Sequence, residues 1–177
     1  MIRNAHSTTL RSQRLTLRTP APGDASRMAE LASDIGVARM TTSIPYPYKT
    51  DQARDFIDRM HARDAAVETA FSIVSPTDDF MGVVGFHPDQ DGATELGYWL
   101  GRPYWGVGYM TEAVVTALEW ARESWAKRYL LSGHFADNPA SGRVLCKTGF
   151  LYTGDIRPRH SMARREAAPT RMMVWLA

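Results

Sequence analysis

Apolar residues change their period several times along the chain, and each change marks an element. Arg14-Leu15-Thr16-Leu17-Arg18 alternates and predicts a first strand. Pro20, Pro22 and Gly23 break it, and Asp24 is placed to cap a helix running to about Ser33, with Met28 and Leu31 among its apolar positions. Ile44-Pro45-Tyr46-Pro47-Tyr48 cannot be regular helix, because each proline restricts its neighbour as well as itself. Thr50 then caps a second helix, in which Ala53, Phe56, Ile57 and Met60 fall at i, i+3, i+4 and i+7 on one face.

Period two returns downstream. Ala70–Val74 and Phe80–Phe86 flank the turn cluster Ser75-Pro76-Thr77-Asp78-Asp79 and predict a hairpin. A further turn over Pro88–Gly92 leads into a strand from Thr94 to Leu100. Met110, Ala113, Val114, Ala117, Leu118 and Ala121 then mark an amphipathic helix of four turns. A strand from Tyr129 to near Phe135 follows. Next comes a helix over Asn138–Thr148 with Val144 and Leu145 inward, ended by Gly149. Two last strands are predicted near Phe150–Ile156 and Arg171–Leu176. The unit from Thr94 to Phe135 is a crossover, so its two strands can be parallel, whereas the three strands before it form an antiparallel meander. The expectation is a mixed, mostly antiparallel sheet in an α/β domain.

The 177 residues, 44% hydrophobic and 23% charged, fit one globular domain over 1–177 and exclude disorder, collagen and coiled coil as the overall class. No apolar run approaches 18 residues, so no membrane span is expected. The opening Met1–Ser7 lacks the apolar core of a secretory signal, and a cytoplasmic enzyme fits best. The single cysteine, Cys146, has neither a disulfide partner nor a CxxC metal spacing; it reads as a small packing residue, and no metal is expected. A net charge of +2 is too weak to demand a nucleic acid, though it suits a phosphate-bearing small ligand. Basic residues concentrate late, at Arg157, Arg159, His160, Arg164, Arg165 and Arg171, which reads either as a flexible solvated loop or as a binding patch.

The chemistry concentrates between Glu95 and Ala113, where a strand runs through a glycine-bearing loop directly into a helix. The first turn of a helix has unpaired N–H groups and about half a positive charge from the macrodipole, so it binds phosphate without a basic side chain. Gly106 and Gly108 let backbone approach an anion closely, although a strand–helix turn can need glycine for geometry alone. A P-loop would require a lysine and a hydroxyl at the helix start, and neither is there. A dinucleotide GxGxxG would require glycine where Thr111 stands.

Together these segments resemble the GNAT superfamily of N-acetyltransferases, in its RimJ/RimL-like branch, whose founding members acetylate ribosomal-protein N-termini. The resemblance rests on Arg14–Arg18, Glu95–Leu100, Tyr104–Ala113, Asn138-Pro139-Ala140-Ser141 and Lys147-Thr148-Gly149-Phe150, in that order. The superfamily pattern Q/R-x-x-G-x-G/A is met with Trp105 at its first position, Gly108 at its central glycine and Met110 at its last. The resemblance implies a GNAT-like sheet of about seven strands with a splayed parallel pair, flanked by about four helices. It also implies acetyl-CoA as co-substrate, with its pyrophosphate on Gly106, Val107, Gly108, Tyr109, Met110 and Thr111. The pantetheine would lie against Trp99 and Leu100 on one side and the Asn138 side chain on the other. Many members place a tyrosine proton donor where this chain has Leu145; the RimL-like pattern suggests Ser141 instead.

The attacking amine must shed a proton, and Glu95, on the strand face shared with Gly97 and Trp99, is the candidate base. His87 and His134 are further candidates, though a lone histidine is more often structural. Glu112 complements the helix dipole. Tyr46, Tyr48 and Trp105 are candidates to line an acceptor pocket. The acceptor implied is an amine: a protein N-terminus, an amino acid, a polyamine or an amine-bearing antibiotic. Homodimers are common among proteins that look like this one. A non-catalytic acyl-CoA sensor is the alternative class.

Overall fold

The computed structural model describes residues 8–177; the reading of Met1–Ser7 lies outside them. The strands are β1 (Thr9–Arg11), β2 (Thr16–Arg18), β3 (Thr69–Val74), β4 (Phe80–Pro88), β5 (Thr94–Leu100), β6 (Tyr129–Phe135), β7 (Leu151–Ser161) and β8 (Glu166–Leu176). The helices are α1 (Ala25–Ala32), α2 (Ile35–Ala38), α3 (Thr50–Ala62), α4 (Tyr109–Glu123) and α5 (Pro139–Lys147). The eight strands form one sheet in the order β1-β2-β3-β4-β5-β6-β8-β7, antiparallel throughout except for β5 and β6.

Three expectations need correction. Among the described residues, two short elements, β1 and α2, bring the count to eight strands and five α-helices. At three and four residues, neither is long enough to carry a period. The late basic segment is no loop. Residues 157–161 and 166–169 continue β7 and β8 as a long antiparallel hairpin, with Pro158 opposite Pro169 and Arg157 opposite Thr170. Its exposed edge strand β7 has no apolar alternation to announce it. The predicted caps also change. Lys49, not Thr50, precedes α3, and its N–H donates to Gln52 Oε1 at 2.9 Å. Asp24 precedes α1 but makes no cap bond. Its carboxylate instead takes both terminal nitrogens of Arg18 (2.8 and 2.9 Å), the Ala21 N–H and the Ser72 hydroxyl. Burial raises the Asp24 carboxyl, and these four donors outweigh it and leave the group below its ordinary range.

Alternation in β5 distributes the core. Leu96 and Leu100 pack beneath α4 and α5 with Met110, Val114, Leu130 and Leu145. Trp99 points to the opposite face, where it joins Met28, Ile57, Met60 and Phe80 under α1 and α3. Burying such side chains stabilises by about 1.5–3 kcal/mol each, so both helix layers hold β5 in place from either side.

Candidate active site

β5 and β6 register a single parallel pair, Glu95 with Leu131. Beyond it the strands diverge. The direction of the backbone groups follows from the flanking ladders. Gly101 N–H donates to Met81 O at 2.9 Å, next to the Gly82–Leu100 pair. Bonded and non-bonded pairs alternate in an antiparallel ladder, so Glu95, Gly97 and Trp99 turn their backbone toward β4. Leu96, Tyr98 and Leu100 turn theirs toward β6. The Ser132 hydroxyl on the Leu96 carbonyl, at 2.9 Å, agrees. On the other side Ala136 N–H donates to Pro169 O, which by the same alternation turns Gly133 and Phe135 toward β5. Tyr98 and Gly133 therefore face each other across a gap with no ladder between them. Trp99, expected to offer backbone groups there, offers its indole to the other face instead; Tyr98 has the backbone position. Leu100 keeps its N–H for the gap, while its carbonyl accepts the Trp105 indole N–H at 2.6 Å.

The gap opens toward the start of α4. Glu112 N–H is the first to bond within the helix, to Gly108 O at 3.1 Å. The N–H groups of Tyr109, Met110 and Thr111 thus precede the ladder, and no side chain caps them. Gly106 and Gly108 hold φ of 81° and 87°, the left-handed region where a Cβ is strained, so here glycine is required by conformation. A Cβ on Gly108 would otherwise meet only Arg14 Nη2, at 3.5 Å. Met110 departs from the usual small residue without blocking the loop, because its side chain is buried in the core.

Arg14 and Glu112 fix this loop, and the sequence did not show it. Glu112 accepts from the Ser12 hydroxyl, the Arg14 N–H and Arg14 Nε, each at 2.7 Å. Arg14 also reaches Val107 O at 3.1 Å and stacks on Tyr109. Burial raises the Glu112 carboxyl, but those donors hold it below the usual range. Its role exceeds complementing the dipole: it ties the β1–β2 turn to the helix.

A cleft of about 1200 Å³ continues from this loop through the gap to the α1–α3 face. At the head of α5, Asn138 Oδ1 accepts the Ser141 N–H at 3.2 Å, which leaves its amide nitrogen free to donate. The Ser141 hydroxyl lies 2.8 Å from the Tyr98 hydroxyl. Burial pushes the Tyr98 phenol well above its ordinary range, so it stays protonated.

On the opposite face Glu95 is buried and bidentate with Arg159 of β7, at 2.5 and 2.8 Å. Both carboxylate oxygens are occupied, which sequence reading did not anticipate. The hairpin that brings Arg159 is itself pinned: Met162 N–H donates to Thr42 O, and Arg164 grips Asp137 and the Arg39 carbonyl. Of the expected acceptor aromatics, Tyr48 and Trp105 line the cleft and Tyr46 does not. Burial pushes the Tyr48 phenol up to about 12. Cys146, expected to pack, is exposed. His134 spends both ring nitrogens, on Phe135 O and the Tyr152 hydroxyl, each at 2.9 Å.

An open strand pair beside an uncapped, glycine-led helix defines an acyltransferase architecture. Residues 14–151 match the Acetyltransferase (GNAT) domain family, and the chain belongs to that family. It is 32% identical over 155 residues to the uncharacterized N-acetyltransferase p20 of Bacillus licheniformis, covering 84% of this chain and 85% of that one. Its fold matches RimL, a ribosomal L7/L12 α-N-protein acetyltransferase solved with coenzyme A (TM-score 0.81, 16% identity, 96% and 98% of the two chains). It also matches spermidine N-acetyltransferase from Vibrio cholerae, solved with CoA and spermine (TM-score 0.76, 17% identity, 93% and 96%). One fold thus carries a protein α-amine acceptor and a polyamine acceptor. Among the described residues no helix is long and apolar enough to cross a membrane.

Proposed function

We propose that this chain transfers the acetyl group of acetyl-CoA directly to a primary amine, either a protein N-terminus or a small-molecule amine. The observation that carries this reading is the continuity of two unsatisfied backbone surfaces: the N–H groups opening α4 and the strand edges facing across the gap. The first suits a pyrophosphate, held by Gly106–Thr111. The second suits an amide chain, which pantetheine is, added like a strand between Tyr98 and Gly133. The Asn138 amide nitrogen donates to a pantetheine carbonyl. With the pyrophosphate at the wide end, the thioester lies toward the closed end near Tyr98, whose N–H polarises the thioester carbonyl as charge builds on oxygen. Ser141, held by Tyr98, offers its hydroxyl to the departing thiolate. Glu95 and Arg159 form the floor of the acceptor side.

The test is a thiol-release assay with acetyl-CoA and a panel of amines: a peptide with a free N-terminal serine, a free amino acid, spermidine and an aminoglycoside. Calorimetry with CoA runs alongside. Thiol release that depends on one of these amines supports the reading. Tight CoA binding with no amine-dependent release identifies an acyl-CoA sensor instead.

A further inference from the structure

The acceptor amine must lose a proton, and Glu95 is poorly placed to take it. Both of its oxygens are held by Arg159 at 2.5 and 2.8 Å in a buried site. To meet an incoming ammonium, the carboxylate would have to give up a charge-assisted bond to Arg159. His134 has no free nitrogen either.

His87 differs. It sits at the end of β4, directly opposite Glu95 in the ladder, and it lines the cleft. Its Nδ1 lies 3.3 Å from the Pro88 carbonyl. A carbonyl can only accept, so Nδ1 carries the proton and Nε2 keeps its lone pair. Nε2 makes no hydrogen bond among the described residues. It points over Gly97, where a Cβ would come within 3.3 Å of it. Gly97 stands two residues beyond the Glu95–Leu131 pair that closes the gap, on the face of β5 away from Ser141. The missing side chain gives the His87 ring room to lie over β5, in the cleft that Glu95, Gly97 and Tyr98 also line.

We propose that His87 is the general base of the transfer, and that Glu95, through Arg159, holds the acceptor-side hairpin in place. The inference rests on the acetyl-transfer reading above. The ammonium acceptor gives one proton to His87 Nε2, and the freed amine attacks the thioester carbonyl carbon. The C–N bond forms, the C–S bond breaks, and the second nitrogen proton ends on the CoA sulfur by way of the Ser141 hydroxyl. His87 then returns its proton to solvent through the open cleft. The products are the acetamide, CoA thiol and one released proton. Imidazole is the side chain suited to taking and shedding a proton near neutral pH.

The experiment uses the full chain, acetyl-CoA and whichever of the four panel amines the wild type acetylates fastest. His87→Ala is expected to lower kcat/KM about 100-fold, the usual scale for losing a positioned base. Calorimetric CoA affinity should stay within twofold, which also shows the variant is folded. Added imidazole should restore the rate at least tenfold, because the truncated side chain and Gly97 leave room for it. A structural histidine would give no such rescue. A rate within threefold of wild type, or a CoA-binding variant that imidazole does not revive, overturns the assignment while leaving the transfer reading intact. A wild type silent toward every amine overturns the transfer reading and this inference with it.

Discussion

In the proposed transfer, the donor side of β5 is made of backbone. On that reading the peptide groups of Gly106–Thr111, Tyr98 and Gly133 face the ligand, while Arg14 and Glu112 brace the loop from behind. On the acceptor side it is made of side chains: the Glu95–Arg159 pair, the His87 ring, and aromatics on α1–α3 and the loops between them. Backbone recognition depends on φ, ψ and strand register, which tolerate many side chains. Side-chain recognition depends on particular atoms brought together from distant segments. The two halves therefore differ in how they fail: the first through conformation, the second through charge left unpaired.

The largest effect is expected from breaking the acceptor side at Arg159. Arg159→Met leaves the Glu95 carboxylate buried beside an apolar chain. Removing one partner of a buried ion pair typically costs about 3–5 kcal/mol. Guanidinium unfolding should show a loss of that order. The double variant Arg159→Met with Glu95→Gln should recover most of it, since no buried charge then lacks a partner. Equal losses in the single and double variants would mean that the hairpin is held by its tip contacts alone. Glu95→Gln by itself leaves a neutral acceptor for Arg159 and should cost less stability than Arg159→Met. Its turnover should fall less than that of His87→Ala.

The donor side should break through conformation. Gly108→Val forces a β-branched residue into φ near 87°. Strain of that kind costs about 1–3 kcal/mol, which corresponds to roughly 5- to 150-fold in affinity if it falls on the bound loop. Calorimetry should show CoA binding weakened on that scale. Gly108→Ala should lose nearly as much, because the added Cβ meets only the far end of Arg14. A large gap between alanine and valine would point to bulk rather than backbone.

That division also explains what could be read from the chain. The donor loop was legible because its demands fall on consecutive residues: glycines at 106 and 108, then an amphipathic helix whose period fixes the loop's place. The crossover and meander were legible for the same local reason. The chain alone favours Trp99 over Tyr98, because which residue faces the gap depends on the β4 ladder, seen in the Gly101–Met81 bond and not in β5 itself. Arg159 was hidden more deeply. It pairs with a residue 64 positions away, from an edge strand whose register shifts between Tyr152 and Ile156 and which is exposed along most of its length. Such a strand has no buried face to impose alternation, so in sequence it is indistinguishable from a basic loop. His87 is visible as a residue; that Nδ1 lies on the Pro88 carbonyl and Nε2 has no partner among the described residues depends on the fold around it.

The smallest effect sharpens the comparison, because it concerns an ion pair on the otherwise backbone-built donor side. Arg14 is 42% exposed and pairs with Glu112, which is 16% exposed. Exposed pairs contribute about 0.2–1 kcal/mol, so Arg14→Gln should lower stability by no more than about 1 kcal/mol at neutral pH. Glu112 is the more informative partner. Burial works against its charge, and Ser12 and Arg14 overcome it, so its folded-state pKa lies below the unfolded one. A depressed carboxylate contributes stability that is present above the unfolded value, about 4.3, and is lost as pH falls through the folded value. Wild type should therefore lose stability on acidification below about pH 4. Arg14→Gln should lose less over that interval, since its Glu112 has less depression to give up. Unfolding series at pH 7 and in the acid range measure the difference. Parallel losses in the two proteins would place the acid sensitivity elsewhere, first at the buried Asp24–Arg18 pair, whose carboxyl is depressed in the same sense.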